Sequence, residues 1–169
     1  MKKSIAVLAA AALTLAVLPF AACAKKQTGA SKYVINASYD KKENTLSGTA
    51  AFTFYNSTGN EISDLQFNLW GNAYREGAKY KPVSEALSSK AYYAGASYGG
   101  EEIEKVEGCA SWEVTGEDKN ILNVALGAPV YPEQTVTVSI SYTLDLAKVN
   151  HRTGVTASTV NLGNFYPVL

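Results

Sequence analysis

Apolar and polar residues alternate with a period of two along most of the chain beyond residue 32. Tyr33, Ile35, Ala37 and Tyr39 fall on one face of a first strand, and the polar run Asp40 to Asn44 turns it. Leu46, Gly48, Ala50, Phe52 and Phe54 then share a face, with Thr45, Ser47, Thr49 and Thr53 opposite. The run Asn56 to Asn60 is a second turn, because Asn and Gly tolerate backbone angles that other residues avoid. Leu65, Phe67 and Leu69 resume the alternation against Asp64, Gln66 and Asn68. Ile103 and Val106 mark a short strand whose register their spacing leaves open. Leu122, Val124 and Leu126 form one side of another, and Pro129 to Gln134 turns the chain. The clearest strand runs from Thr135 to Leu144, where Val136, Val138, Ile140, Tyr142 and Leu144 alternate with hydroxyl residues. A period of two sends successive side chains to opposite faces of a pleated strand, and β-branched types suit such a half-buried surface. About seven or more strands separated by turn clusters predict an all-β fold, an antiparallel β-sandwich.

One region lacks the alternation. Gly71 to Gly100 carries Tyr74, Tyr80, Tyr92, Tyr93 and Tyr98. Within it, Pro82 to Tyr92 predicts about two or three helical turns, with Pro82 at the start and Glu85 in the first turn. Long insertions between strands are often functional. The five tyrosines either pack the insertion onto the sandwich or form a ligand or partner surface.

The N-terminus follows another grammar. Lys2 and Lys3 precede a stretch from Ile5 to Leu18 that is apolar apart from Thr14, and Pro19-Phe20-Ala21-Ala22-Cys23 follows. A basic start, an apolar run and small residues at the exit are the parts of a secretory signal. Cys23 straight after Ala21-Ala22 resembles a bacterial lipobox, with Phe20 where Leu is usual. Residues 1–22 are therefore read as a lipoprotein signal peptide, and Cys23 as the lipid attachment site. Two rival readings are cleavage after Ala24 at an A-x-A site and an uncleaved anchor. Stable anchoring takes about two acyl chains, which a diacylglyceryl cysteine supplies. Residues 23–32, with the polar and small run Ala24 to Ser31, form a lipidated cysteine and flexible tether; residues 33–169 form the sandwich. The expected location is a bacterial membrane, on its extracytoplasmic side, with membrane lipid as a partner through acylated Cys23.

Composition narrows the function. The chain has 15 basic and 15 acidic residues, and removing Lys2 and Lys3 with the signal leaves a net charge of −2. No basic stripe is present, so nucleic acid is not an expected partner. With Cys23 acylated, Cys109 is the one remaining thiol, which excludes an intramolecular disulfide framework. His151 is the one histidine, so the chain lacks an H-E-x-x-H zinc motif. It also lacks a G-x-S-x-G elbow and the glycine-rich phosphate loops. Glu101, Glu102 and Glu104, like Glu113, Glu117 and Asp118, read as solvated charge at strand ends and turns. His151 and Cys109 read as structural. No catalytic or metal-binding residue is assigned.

Three segments together resemble a known family. FNLWGNAYREG (Phe67 to Gly77), NILNVALGAPVYPEQTVTVSISYTL (Asn120 to Leu144) and NHRTGVTASTVNLGNFYPVL (Asn150 to Leu169) are similar, in order and spacing, to the leading part of aminopeptidase N-type zinc metallopeptidases. The resemblance covers Tyr33 to Leu169 and implies the noncatalytic N-terminal β-sandwich, or saddle, domain. It implies no cofactor in this chain, since zinc and its ligands would belong to a following catalytic domain. A catalytic peptidase domain or chain is then the expected partner. The apolar run Asn164 to Leu169 reaches the last residue without a polar cap, which is expected of a fragment of a longer precursor. Such a domain should expose an apolar patch where its partner sits. The alternative is a stand-alone surface module that binds carbohydrate or peptide through the tyrosines.

Lipidation is checked by metabolic labelling with palmitate in a bacterial host. The chain should carry label and sediment with membranes, and Cys23→Ser should lose both. Label on the Ser variant would place the lipid elsewhere.

Overall fold

A computed structural model describes residues 29–169, so the signal peptide and Cys23 lie outside the described residues. Lys32–Asp40 (β1) pairs antiparallel with Thr45–Tyr55 (β2), and β2 pairs with Thr135–Asp145 (β7) along its whole length. Gly100–Glu107 (β4) closes the other side of β7, giving a four-stranded sheet in the order β1-β2-β7-β4. Ile62–Asn68 (β3), Ile121–Val130 (β6) and Ser111–Thr115 (β5) form a second sheet in the order β3-β6-β5. A small hairpin, Thr153–Val155 (β8) with Val160–Leu162 (β9), follows. The fold is all-β and sandwich-like.

The faces follow the sequence alternation. Phe52, Val106, Val138 and Ile140 of the first sheet meet Leu65, Phe67, Leu122, Val124, Leu126 and Val130 of the second. The Phe52 and Phe67 rings meet edge to face at 5.7 Å between centroids, which adds a directional term to burial. Ile103 and Val106 both serve the interior, although they lie three positions apart. A register shift between Ile103 and Lys105 accounts for it, and restores Val106 opposite Ile140.

β2 and β7 extend past the second sheet, so their far halves need another cover. Leu46, Ala50, Tyr142 and Leu144 form a second cluster with Leu146 and Val155, against which Phe165 and Tyr166 pack. The C-terminal segment is thus drawn into the fold. Pro167 is fully buried, and Val168 exchanges two backbone hydrogen bonds with Asn68 at 2.7 and 3.1 Å. The Leu169 amide donates to Tyr33 Oη, so this segment links β3 to β1. Segment 164–169 forms one isolated bridge rather than a strand, because the buried Pro167 offers no N–H to a ladder.

The turns are built by side chains. Asp40 Oδ1 accepts the amides of Lys42 and Glu43 after β1. Asn56, completely buried, donates to the carbonyls of Asn60 and Val130 and accepts from the amide and hydroxyl of Thr58. Its full set of bonds explains how an amide survives in the interior.

Phe67 stands at the centre of the inter-sheet core with 1 % of its surface exposed. Phe67→Ala should lower unfolding free energy by about 3–5 kcal/mol, read by urea denaturation. A loss below about 1 kcal/mol would mean that the two sheets do not pack as described.

Candidate functional site

The insertion after β3 builds a small core of its own. A 3-10 turn, Trp70–Tyr74, leaves β3, and a short helix, Glu85–Ala91 (α1), follows. The helix starts three residues beyond Pro82. Ser84 occupies the cap position in an extended conformation, and Glu85 lies in the first turn. Tyr74, Val83 and Ala91 bury themselves with Ala147 and Val149 from the segment after β7.

Polar contacts pin this unit to the sandwich. Asp118, buried in the β5–β6 turn, accepts the Lys79 and Tyr80 amides on its two oxygens at 2.8 and 3.0 Å. Those two donors hold its carboxyl below the usual range. Lys79 Nζ also reaches both oxygens of Glu117. Asn72 donates to Lys119 O at 2.5 Å and accepts the Glu101 amide at 2.8 Å. On the other side, Tyr74 Oη lies 2.7 Å from His151 Nδ1 and accepts from the Thr153 amide. His151 is thereby engaged in holding the insertion.

Between these fixings lies a cleft of about 380 Å³, at the small end of ligand-binding sizes. Three of the five singled-out tyrosines line it: Tyr74, Tyr92 and Tyr98. Tyr74 is a buried wall, Tyr92 is half-buried, and Tyr98 is exposed. Burial, and then the neighbouring Tyr98 phenol, push the Tyr92 hydroxyl up, so it remains a neutral donor at neutral pH. Tyr80 and Tyr93 stand outside this cleft and are exposed. The tyrosines therefore divide, with Tyr74 in the insertion's core and the others facing outward to different degrees.

Two of the carboxylates read as solvated charge are internal. Asp118 is the clamp described above. Glu101 is 3 % exposed, on the inner face of β4 opposite Leu144. Its Oε2 accepts the Gly71 amide at 3.3 Å, while Oε1 has no partner. Gly71 is required here, since a Cβ would come within 2.8 Å of the Glu101 Cβ. Burial raises the Glu101 pKa from 4.5 to about 8, against the lowering effect of the Gly71 amide. Nearby, the Tyr142 hydroxyl is also buried without a partner, and burial pushes it up. The charge-rich sequence around Glu101 hid the inward turn, since Glu102 and Glu104 beside it are exposed. Its place on the Ile103 side of the β4 register shift was the missing information.

Cys109 packs partly against the main core, and its thiol points to Val106 O at 3.7 Å. Burial raises its pKa, the opposite of what a nucleophile needs. Among the described residues no group of three or more His, Cys, Asp and Glu side chains is placed to hold a metal ion. No protein-family model matches the chain, and no curated protein matches it.

Glu101 gives a pH test. The folded protein holds its proton to about pH 8, whereas the unfolded carboxyl releases it near 4.5. The folded state binds more protons between those values, so this contribution is full below the lower value and is lost as pH rises through the upper. Glu101→Gln, which stays neutral, should flatten the fall in melting temperature between about pH 5 and 8. An equally steep fall in the variant would assign the pH dependence to other groups.

Proposed function

We propose that this chain is the noncatalytic N-terminal sandwich of an exported, lipid-anchored peptidase of the aminopeptidase N type. It supports or docks a zinc-bearing catalytic domain that these residues do not include, on the extracytoplasmic side of a bacterial membrane. The resemblance of the three segments supports the family. The observation that carries the docking role is the apolar surface of the insertion. Five of the eleven exposed large hydrophobic residues among those described, Trp70, Tyr80, Leu87, Tyr93 and Tyr98, fall in this one segment. A concentration of exposed apolar side chains in one connecting segment, rather than on the sheets, is what a partner-facing element would show.

A second reading is favoured by the cleft itself. Tyr92 and Tyr98 offer a stacking face and hydroxyls in a concave site of ligand size, as a carbohydrate- or peptide-binding module would. Both readings place function on the insertion and none on catalysis.

The purified chain should bind no stoichiometric zinc and release no amino acid from aminoacyl reporters. A catalytic domain of the same family, supplied separately, should co-sediment with it, and the Tyr80→Ser/Leu87→Ser variant should weaken that association about tenfold or more. Zinc-dependent aminopeptidase activity of the chain alone would falsify the noncatalytic assignment. Undiminished association of the variant would remove the insertion from the docking face.

A further inference from the structure

The cleft's charge distribution narrows what it can hold. Arg75 and Lys81 line it, and no carboxylate does. Asp118 accepts two backbone amides and Glu117 pairs with Lys79, while Glu76 and Glu85, close along the chain, are exposed and do not line the cleft. Arg75 gives one hydrogen bond, to Asp118 O at 3.3 Å, and a guanidinium has five N–H donors. Lys81 is exposed and forms none of the ion pairs found among the described residues. Arg75 also acts on the Asp118 carboxylate beside it, but a concave site lined by two cations and no carboxylate favours an anionic ligand.

The remaining lining selects among anions. Tyr98 presents an exposed ring, and Ser88 and Ser89 add hydroxyls from α1. No lining residue belongs to a strand, so an extended peptide finds no backbone ladder to join. Gly77, Gly95 and Ala96 add small residues to the lining beside the tyrosines. A ring face bordered by hydroxyls and cations suits a polar ring that carries a carboxylate.

We propose that the cleft binds an acidic saccharide, a uronic acid or other sugar acid, with its carboxylate toward Arg75 and Lys81 and a ring face on Tyr98. This inference rests on the binding-module reading and adds to it the charge class of the ligand. Carboxylates favour such sites because charge-assisted hydrogen bonds are stronger than neutral ones.

Calorimetric titration of the intact chain tests it with matched probes: digalacturonate against galactobiose, sialyllactose against lactose, and a short acidic peptide. At least one acidic saccharide should bind about tenfold or more tightly than its neutral match, and added salt should weaken it. Lys81→Ala and Tyr98→Ala, both at exposed positions, should each reduce that affinity about tenfold without lowering the melting temperature. Equal affinity for the neutral sugars, still lost in Tyr98→Ala, overturns the charge inference and keeps the binding module. Binding of the acidic peptide alone overturns the saccharide. Silence from every probe overturns the proposal and the binding-module reading together.

Discussion

The pairing of β2 with β7 over eleven residues each is the constraint on which the rest of the structure depends. Antiparallel pairing with a strict two-residue period commits one continuous face to the interior. The second sheet covers only part of that face. Val138 and Ile140 meet β3 and β6, whereas Tyr142 and Leu144 lie beyond them. Apolar side chains at that far end would otherwise face water, at roughly 25 cal/mol for each Å² exposed. The C-terminal Phe165-Tyr166, the small hairpin and the insertion's first turn supply the missing cover. Additional elements thus gather at one end of the sandwich.

Close cover has a local consequence. The backbone of Gly71 approaches β4 and β7 so tightly that a Cβ would clash with Leu144 and Glu101. Glu101 is sealed beneath it with a single donor, and Tyr142 Oη is sealed without any. Tyr142 also lies over Gly48 of the neighbouring strand, where a Cβ would come within 2.8 Å of its hydroxyl oxygen. Buried polar groups without partners are costly, and Glu101 sits where the insertion meets the sandwich. The insertion is held by backbone-directed bonds from Asp118 and Asn72, which fix its position without consuming its outward side chains. That division leaves Tyr98, Lys81 and Leu87 free to face solvent, and the functional readings concentrate there.

The alternating segments were legible because periodicity is a local property. The inward faces of β2, β3, β6 and β7 match the residues that alternate in the sequence, and on β1 Tyr33, Ile35 and Tyr39 do so while Ala37 is exposed. The helix was legible from Pro82 and Glu85, though its start moved to Glu85. β5 and the β8–β9 hairpin were not, since five and three residues are too short to establish a period. The candidate site was half legible. Five tyrosines in one segment drew attention to the insertion, but their individual fates depend on which of them the residues after β7 reach.

The sequence by itself determined the all-β class, the interior faces of the long strands, the turns, and an insertion that does not alternate. It did so because side-chain direction along a strand follows from local geometry. Tertiary structure alone decided that Glu101 points inward, that Asp118 clamps Lys79 and Tyr80, and that Tyr74 is walled in by His151 while Tyr98 stays in solvent. Each of those outcomes joins residues from about thirty to almost eighty positions apart. Burial and partnership over such distances belong to the packed chain, because they depend on which surfaces remain uncovered after the strands have paired.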